Sequence, residues 1–526
     1  MIRSMPLRYR SFVLLLLPVC GPVHIASAQQ FQHIQAYRDQ SAPGSKFGWS
    51  IATTEQRLIV GSPHAESQAG VVSAFAVEEL AWTTVSGSVL AEGNVLAPQD
   101  QRFGAVVATS GDHVAVGNCS TYGTDQYCND AAQWVSIYRI VGGSWQYTGS
   151  IPAPAGAAGN FGKALAMSAD HVAVGGSRLS VAGVVQDVVL LYARDGDNWL
   201  FTPQDTLVGF AATAMGNGAF GHSLAMRASL LLVGCSGDDD LGTDCGAAYV
   251  FGMDQGGSGN WGLLRKMLPS DGVAGDRFGF SVALTNERAV IGAPLRANGT
   301  DAVGSAYVFH RDAGATNNWG EVSRMTPSDP HANMQFGASV ALNDERIAVG
   351  APFDMFSENG TDGSVEVFIP QDDTWTFSQR IVPYQDGHVS QVSRSGTSLA
   401  FARDKLLIGA PFAIVDSSTT TPTGAVLVYG DPELGMEEIA ASDYNIYPNP
   451  CDGGVTVEAL GTGPAQLLAL ELFDVSGARP TERMMAQRNG RIYFQMADLA
   501  VGVYVMKISD ATSGAELVRR ALVVAR

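Results

Sequence analysis

Short apolar runs alternate with Gly-, Asp- and Asn-rich turns from residue 47 to residue 430, and they return every 56 to 59 residues. The stretch RFGFSVALTNERAVIGAP (277–294) recurs as QFGASVALNDERIAVGAP (335–352). Within the first run, large residues such as Phe278 and Val282 alternate with small ones such as Gly279 and Ser281, which is the period of a β-strand. A fixed period of this length indicates a repeat architecture.

Seven copies share one spacing: a Phe-Gly pair, or Ser395-Gly396 in the last copy, is followed fourteen residues later by a glycine. Each copy then adds a third apolar run, and six copies add a fourth that begins with Trp. Four short strands per copy predict an all-β fold in which seven copies form a seven-bladed β-propeller over residues 29–430. The Phe-Gly pairs begin at Phe47, Phe103, Phe161, Phe220, Phe278 and Phe336.

The seventh copy lacks a fourth strand, because no Trp-led run follows its third run near Gly430. The segment FQHIQAYRDQ (31–40) precedes the first copy at about the distance that a fourth strand would have. An unpaired strand edge is a liability in a folded protein. We therefore expect 31–40 to pair as the outer strand of the seventh blade and to close the ring.

The repeat resembles the FG-GAP repeat of integrin α-subunit propellers, and most closely its bacterial variant containing GSAYVF, found here from Gly304. The resemblance covers about 47–430 and implies a propeller with a binding role. Many FG-GAP repeats hold calcium between their first two strands, but TNERA (285–289) and NDERI (343–347) are too short for a calcium cage. We expect no metal site and no cofactor, with calcium left as a possibility that these turns do not support.

A different pattern of strands and turns occupies residues 444–526, after a polar linker at 431–443. It predicts a small C-terminal β-sandwich. The motifs YPNP (447–450), LFD (472–474), GVYV (502–505) and the pair Arg519-Arg520 resemble the type A C-terminal sorting domain of the Bacteroidetes type IX secretion system. The resemblance implies outer-membrane passage through that machinery, removal of the tail, and release or attachment at the surface. The alternative is an ordinary accessory sandwich.

The N-terminus has the form of an export signal, residues 1–28, with three arginines, the apolar run FVLLLLPV (12–19) and an ASA cleavage site. We expect cleavage between Ala28 and Gln29. A lipid anchor at Cys20 is the alternative, but the preceding Val19 is bulky for it. The apolar run is too short to span a bilayer, and no other segment is predicted to be a transmembrane helix.

Charge narrows the possible partners. The net charge is −19, and the acidic excess lies in 29–443, because residues 444–526 hold eight acidic and eight basic residues and the first 28 hold no acidic one. An acidic body disfavours nucleic acid and anionic membranes as partners.

The cysteines occur as two close pairs, Cys119 with Cys128 and Cys235 with Cys245, which predict two disulfides in an exported chain. Zinc binding is the alternative, but no C-x-x-C motif or nearby histidine supports it. Cys451 has no predicted partner.

Candidate chemistry is sparse, since no G-x-S-x-G, H-E-x-x-H or P-loop motif occurs and no catalytic residue is predicted. We interpret His222 as a space-filling residue of an inner strand rather than a catalytic one. The run Asp238–Asp240, with Asp244, fits a solvated loop better than a cation site.

Loop variety points to a ligand face. The first-to-second turns keep one length in all copies, whereas the second-to-third connections vary. Variable loops on a constant framework are typical of binding surfaces. We predict a ligand site at Phe353, Met355, Phe356 and Phe412, unless these side chains pack between blades instead.

Two function classes remain after these observations. The first is a secreted or cell-surface binding or adhesion protein that takes an extracellular protein or glycan. The alternative is an extracellular carbohydrate-active propeller enzyme, a hydrolase or lyase. The fold does not decide between them.

Overall fold

The computed structural model describes most of the propeller and the strands of the C-terminal region. The ranges are 31–37, 44–65, 70–77, 82–90, 103–117, 134–141, 144–196, 198–209, 217–299, 301–356, 361–371, 374–383, 389, 392–414, 422–430, 444–447, 454–459, 467–474, 481–486, 491–495, 502–510 and 516–524. The predicted signal peptide with Ala28 and Gln29, the linker 431–443, and Cys119 and Cys128 lie outside these residues.

The propeller consists of seven antiparallel sheets; in six of them the strands follow sequence order from the axis outward, and in the seventh the N-terminal strand is outermost. Strand β1 (Gln32–Tyr37) precedes the first blade, which holds β2 (Ser50–Thr54), β3 (Arg57–Ser62), β4 (Val71–Val77) and β5 (Trp82–Leu90). The second holds β6 (Val106–Ser110), β7 (His113–Gly117), β8 (Trp134–Val141) and β9 (Ser144–Pro152). The third holds β10 (Ala158–Met167), β11 (His171–Val181) and β12 (Val184–Asp195), edged by β13 (Asn198–Trp199) and β14 (Asp205–Val208).

The remaining blades repeat this plan. The fourth holds β15 (Asn217–Arg227), β16 (Leu230–Asp238), β17 (Ala247–Met253) and β18 (Trp261–Met267). The fifth holds β19 (Ser281–Leu284), β20 (Arg288–Ala293), a small hairpin of β21 (Ala297–Asn298) and β22 (Asp301–Ala302), β23 (Ser305–His310) and β24 (Gly320–Met325). The sixth holds β25 (Ser339–Leu342), β26 (Ile347–Ala351), β27 (Ser364–Gln371) and β28 (Thr374–Ile381), and the seventh β29 (Ser398–Ala402), β30 (Lys405–Ala410) and β31 (Ala425–Gly430).

The N-terminal strand closes the ring, as the sequence predicts. Strand β1 pairs antiparallel with β31, with Tyr37 opposite Val426, and so becomes the outer strand of the seventh blade. The side chain of Gln379 in the sixth blade accepts a hydrogen bond from the Phe31 amide at 2.6 Å and donates one to the Phe31 carbonyl at 2.8 Å. Inner strands β29 and β2 are in contact, so the circle is complete.

Two glycines of the repeat meet at every blade boundary. The glycine of the second strand packs on the carbonyl oxygen of the Phe-Gly glycine in the next blade, as Gly292 does on Gly337 and Gly409 on Gly48. A Cβ on the second-strand glycine would lie well under 3.0 Å from that oxygen in all seven boundaries. The constant spacing of fourteen residues therefore comes from close backbone contact between blades.

Side chains reinforce the same boundary. In five blades a serine three residues after the Phe position donates a hydrogen bond to that carbonyl, as Ser339 does to Gly396 at 2.6 Å. The Phe side chains are 0–2% exposed and belong to hydrophobic clusters between blades, where Phe278 meets Tyr307 edge-on at 5.4 Å. The core of the propeller is thus a ring of interfaces between blades.

The C-terminal region forms two further sheets. Strands β32 (Tyr444–Tyr447), β33 (Gly454–Ala459) and β36 (Arg491–Gln495) make one, and strands β34 (Leu467–Asp474), β35 (Thr481–Ala486), β37 (Gly502–Asp510) and β38 (Glu516–Val524) make the other. Packing of these sheets as a β-sandwich stays a prediction. Among the described residues there are no helices, and hence none that could cross a membrane.

Candidate ligand-binding site

The two faces of the propeller differ in their loops. First-to-second turns are tight: in the fifth blade Thr285 and Arg288 close the turn by a 2.8 Å bond from the Thr285 amide to the Arg288 carbonyl. Successive connections of an antiparallel sheet emerge at opposite edges, so the second-to-third and fourth-to-first connections share the other face. The predicted ligand residues all lie in connections of that loop-rich face.

Backbone hydrogen bonds hold the loops of the sixth and seventh blades at their starting points. The Phe353 amide bonds to the Met334 carbonyl at 3.3 Å, and the Phe412 amide bonds to the Ser393 carbonyl at 3.2 Å. Each loop is thereby attached to the segment that leads into the first strand of its own blade. These bonds fix where the two phenyl rings leave the framework.

A cation–aromatic cluster, comprising Lys46, Trp49, Phe353, Arg394 and Phe412, joins three neighbouring blades. The Arg394 guanidinium carbon lies 4.8 Å from the Phe353 ring centre and 4.4 Å from that of Phe412. The Lys46 ammonium lies 3.5 Å from the Phe412 ring centre, and the Trp49 ring is 6.4 Å from the Phe412 ring. All five side chains are half-buried. The cluster is therefore open to solvent on one side.

The two cations of this cluster carry no counter-charge among the described residues. Arg394 and Lys46 form no ion pair there, and Arg394 Nε is buried without a hydrogen-bond acceptor. Burial and the nearby positive charge of Arg394 lower the pKa of Lys46 to about 8. Burial likewise lowers the pKa of Arg394. Both shifts express the cost of holding a desolvated cation without an anion.

A second cluster on the same face is fully compensated. Phe356 lies under the Arg380 guanidinium, 4.8 Å from its carbon, and 5.8 Å from the His331 ring. Arg380 pairs with buried Asp354 at 2.6 Å and with Asp329 at 2.9 Å, while His331 contacts Asp354 at 2.7 Å. Carboxylates thus balance the cations beside Phe356 but not those beside Phe412.

The predicted site residues consequently divide into three groups. Phe353 and Phe412 meet at Arg394, Phe356 belongs to the compensated cluster, and Met355 is 52% exposed. The rings are half-buried, so they are neither free in solvent nor enclosed between blades. Their role as a ligand site stays a prediction.

Loop patterning missed Lys46 and Arg394, although the repeat carries a signal for them. Both occupy the position immediately before the Phe-Gly or Ser-Gly pair, which has left-handed backbone geometry, with φ of 60° and 49°. Arg277 occupies the same position in the fifth blade, where it pairs with Asp244 at 3.0 Å. Reading that one position across the seven copies shows a cation in four of them, at Lys46, Arg102, Arg277 and Arg394.

The predicted Cys235–Cys245 disulfide is not formed in the structure, where both cysteines are buried free thiols. Cys235 packs in the cluster shared with the third blade and directs its sulfur to the Gly218 carbonyl at 3.5 Å, whereas the Cys245 sulfur faces Gly272 on the way to the fifth blade. The two sulfurs thus have different neighbours and are not bonded to each other. Close spacing in sequence therefore predicted a bond that the strand geometry does not make. Burial raises the pKa of the Cys245 thiol to about 11.

The acidic run beside these cysteines is an ion-pair network rather than the solvated loop that we expected. Asp238 is fully buried and pairs with Lys266 at 2.8 Å, and Lys266 also pairs with Asp240 at 2.5 Å. Asp238 in addition accepts a hydrogen bond from Tyr249 at 2.9 Å. No group of three or more His, Cys, Asp or Glu side chains in the described residues is arranged to hold a metal ion.

His222 lies in the first strand of the fourth blade, where it packs on Phe280 with 4.7 Å between ring centres. Its Nδ1 is 3.2 Å from the hydroxyl of Ser236. Burial, with the positive charges of Lys163 and Arg277, lowers the pKa of His222 to about 3, so the imidazole is neutral. Ser236 itself is only 1% exposed, which places its hydroxyl out of a ligand's reach.

A cavity of about 430 Å³ opens between the fifth and sixth blades. Arg296 and Arg324 line it, and both pair with Asp271, while Arg296 also pairs with Asp276 at 2.6 Å. The positive charges that line this cavity are therefore balanced by carboxylates, as are those beside Phe356.

Comparison with known families agrees with the repeat and with the tail. The FG-GAP repeat family matches residues 210–251, 261–309 and 319–368, and the secretion system C-terminal sorting domain matches residues 445–523. Two of the repeat matches begin at Trp261 and Trp319, in the outer part of the preceding blade, which is the same offset that places β1 on the seventh blade.

No curated protein matches the chain. Among solved structures, the periplasmic gluconolactonase PpgL of Pseudomonas aeruginosa is similar with a TM-score of 0.44 and 12% identity, over 71% of this chain and 99% of that chain. A similarity of that level carries no conclusion about activity. Taken with the seven closed blades, the family matches identify the chain as a β-propeller of FG-GAP repeats that carries a type IX C-terminal sorting domain and is directed to secretion or to the outer-membrane surface.

Proposed function

We propose that this protein is an extracellular binding protein, and that the loop-rich face of its propeller takes a protein or glycan ligand. The observation that carries the proposal is the cation–aromatic cluster, in which loops of the sixth and seventh blades and the entry to the first blade present half-buried rings and cations to solvent. Aromatic and arginine side chains that reach the surface are typical anchors of binding sites.

The rest of the molecule supports a scaffold role. Each blade is held to the next by backbone contacts and buried Phe residues, while the chain varies mainly in the loops of one face. The sorting domain delivers this scaffold outside the cell, where such a face meets macromolecules.

The test is a binding screen with the exported protein on glycan arrays and in pull-downs from extracellular material. The double variant Phe353→Ser, Phe412→Ser removes the two rings of the cluster, and Phe377→Ser on an outer strand, 47% exposed, is the matched control. We expect the double variant to lose at least about tenfold in affinity, or about 1.4 kcal/mol, and the control to bind as the unmodified protein does.

Unchanged affinity in a correctly folded double variant would place the ligand elsewhere. Turnover of a bound glycan, measured by the appearance of new reducing or unsaturated ends, would replace the binding function with the enzyme alternative.

A further inference from the structure

We propose that the cation–aromatic cluster binds the carboxylate of an acidic sugar, so that the ligand is a uronate-containing glycan. This inference rests on the proposed binding function and specifies its ligand class. Lys46 and Arg394 supply positive charge, and Trp49, Phe353 and Phe412 supply ring faces at the same place.

The first step concerns charge. The protein has a net charge of −19, and other cations of this face are paired with carboxylates: Arg277 with Asp244, Lys266 with Asp238, Arg296 with Asp276, and Arg380 with Asp354. Lys46 and Arg394 are the exception among the described residues, and they lie near enough to each other for Arg394 to depress the Lys46 pKa. Two like charges held together without an anion destabilise the fold. An anionic ligand removes that cost by binding.

The second step concerns which anion fits. The ring of Phe412 touches both cations, so the anion must approach beside an aromatic surface rather than across open water. Arg394 Nε is buried and out of a ligand's reach. The two terminal nitrogens are therefore the part of the guanidinium that would bond a planar carboxylate. A pyranose ring brings C–H groups that stack on aromatic faces, and a uronate carries its carboxylate on that same ring. An acidic peptide offers the carboxylate but no ring of this kind.

The experiment measures binding of the exported protein to oligogalacturonate, to its methyl ester and to poly-glutamate. The methyl ester keeps the sugar rings and removes the charge, whereas poly-glutamate keeps the charge and removes the rings. We expect saturable binding to oligogalacturonate that weakens as salt rises, and at least about tenfold weaker binding to the other two probes.

Variants locate the binding on the cluster. Lys46→Gln and Arg394→Gln should each weaken oligogalacturonate binding about tenfold or more, and Arg394→Lys should recover part of the loss because it restores the charge. Arg288→Gln is the matched control, since Arg288 lies over Trp375 at 5.8 Å beside a first-to-second turn of the opposite face. Thermal melting of each variant confirms that it is folded.

The outcomes separate this proposal from the broader one. Equal binding of the ester or poly-glutamate, or normal binding by folded Arg394→Gln, overturns the uronate assignment. If the unmodified protein binds a neutral glycan or a protein ligand but not oligogalacturonate, the uronate assignment is also overturned, while the proposed binding function stands. A protein that binds nothing in the arrays and pull-downs contradicts both.

Discussion

At the residue scale, two glycines determine how closely blades approach. Gly292 and Gly337 illustrate the pattern, because their backbones touch across the boundary between the fifth and sixth blades. The repeat keeps glycine at the Gly292 position for lack of space, and at the Gly337 position also because the backbone there is left-handed, with a φ of 93°. Adding one methyl group at such a glycine, by substitution to alanine, therefore tests how tightly the two blades are packed.

Gly292→Ala should lower the free energy of unfolding by about 2–4 kcal/mol, because its Cβ would collide with the Gly337 carbonyl, which is backbone and cannot rotate away. Gly111→Ala is the control. Gly111 has a φ of 60° but nothing within 4 Å, so only its left-handed backbone opposes the substitution, at about 1 kcal/mol. Urea titration measures both. Equal effects would mean that the boundary relaxes around the added methyl group.

Lys46 makes a pH-dependent contribution to stability. Its pKa is about 8 in the folded protein against 10.5 ordinarily, so between those values the unfolded chain binds a proton that the folded chain does not. The contribution of Lys46 to the free energy of unfolding therefore rises between about pH 8 and pH 10.5. Below about pH 8 Lys46 is charged in the folded protein and destabilises it. Lys46→Met should raise the melting temperature by about 1–3 °C at pH 7 and should leave it unchanged above about pH 10.5.

Lys405→Met is the control for that measurement, because the Lys405 ammonium has a carboxylate 3.5 Å away, on Asp404. A melting gain of equal size in both variants, or one independent of pH, would contradict the assignment of the shift to Lys46.

Sequence alone predicted the repeat unit, the number of blades and the ring closure, because each depends on spacing and on strand periodicity. It placed Phe353 and Phe412 together on the loop-rich face but did not pair them with Arg394, which lies some forty residues from Phe353 in the chain. It also placed Cys235 and Cys245 in a disulfide. Contacts of this kind depend on which way each side chain points and on which loops meet in the fold. The distance between residues along the sequence indicates neither.

At the element scale, β1 is the strand on which ring closure depends. It covers the edge of β31, and Gln379 holds Phe31, the residue just before the strand, by two hydrogen bonds. Without it the seventh blade would have three strands and an exposed edge.

Deleting residues 29–40 should lower the melting temperature sharply, because it removes a whole strand and the buried side chains of Phe31 and Tyr37. Gln379→Ala should have a smaller effect, about 1–3 kcal/mol, by removing only the two bonds to Phe31. Gln371→Ala, at an exposed strand end, is the neutral control for differential scanning calorimetry. An unchanged melting temperature after the deletion would show that β1 contributes nothing to closure.

At the scale of the whole molecule, the chain combines a propeller with a C-terminal sorting domain. The sorting domain, matched over 445–523, directs the protein to secretion or to the outer-membrane surface, and the propeller precedes it. The two regions therefore have different tasks: the sorting domain determines where the protein goes, and the propeller is the part that we propose binds a ligand there.

We expect the mature protein from the native host to end within the linker, 431–443, because removal of the tail accompanies sorting in the system that this domain resembles. Intact-mass spectrometry of the exported protein decides it, with protein retained inside the cell as the unprocessed control. An exported mass that includes residues through Arg526 would contradict processing.

Ring closure by β1 also sets an order of events in time. Strand β1, the first strand among the described residues, pairs with the last strand of the propeller, with Tyr37 opposite Val426. The ring therefore cannot close until that last strand has been synthesised. At about 5–20 residues per second, roughly 20–80 s separate synthesis of the two residues. Throughout that interval the partner of β1 does not yet exist. Newly made chains thus present an unpaired strand and, until β1 docks, a three-stranded blade with an open edge, and neighbouring chains can pair with both.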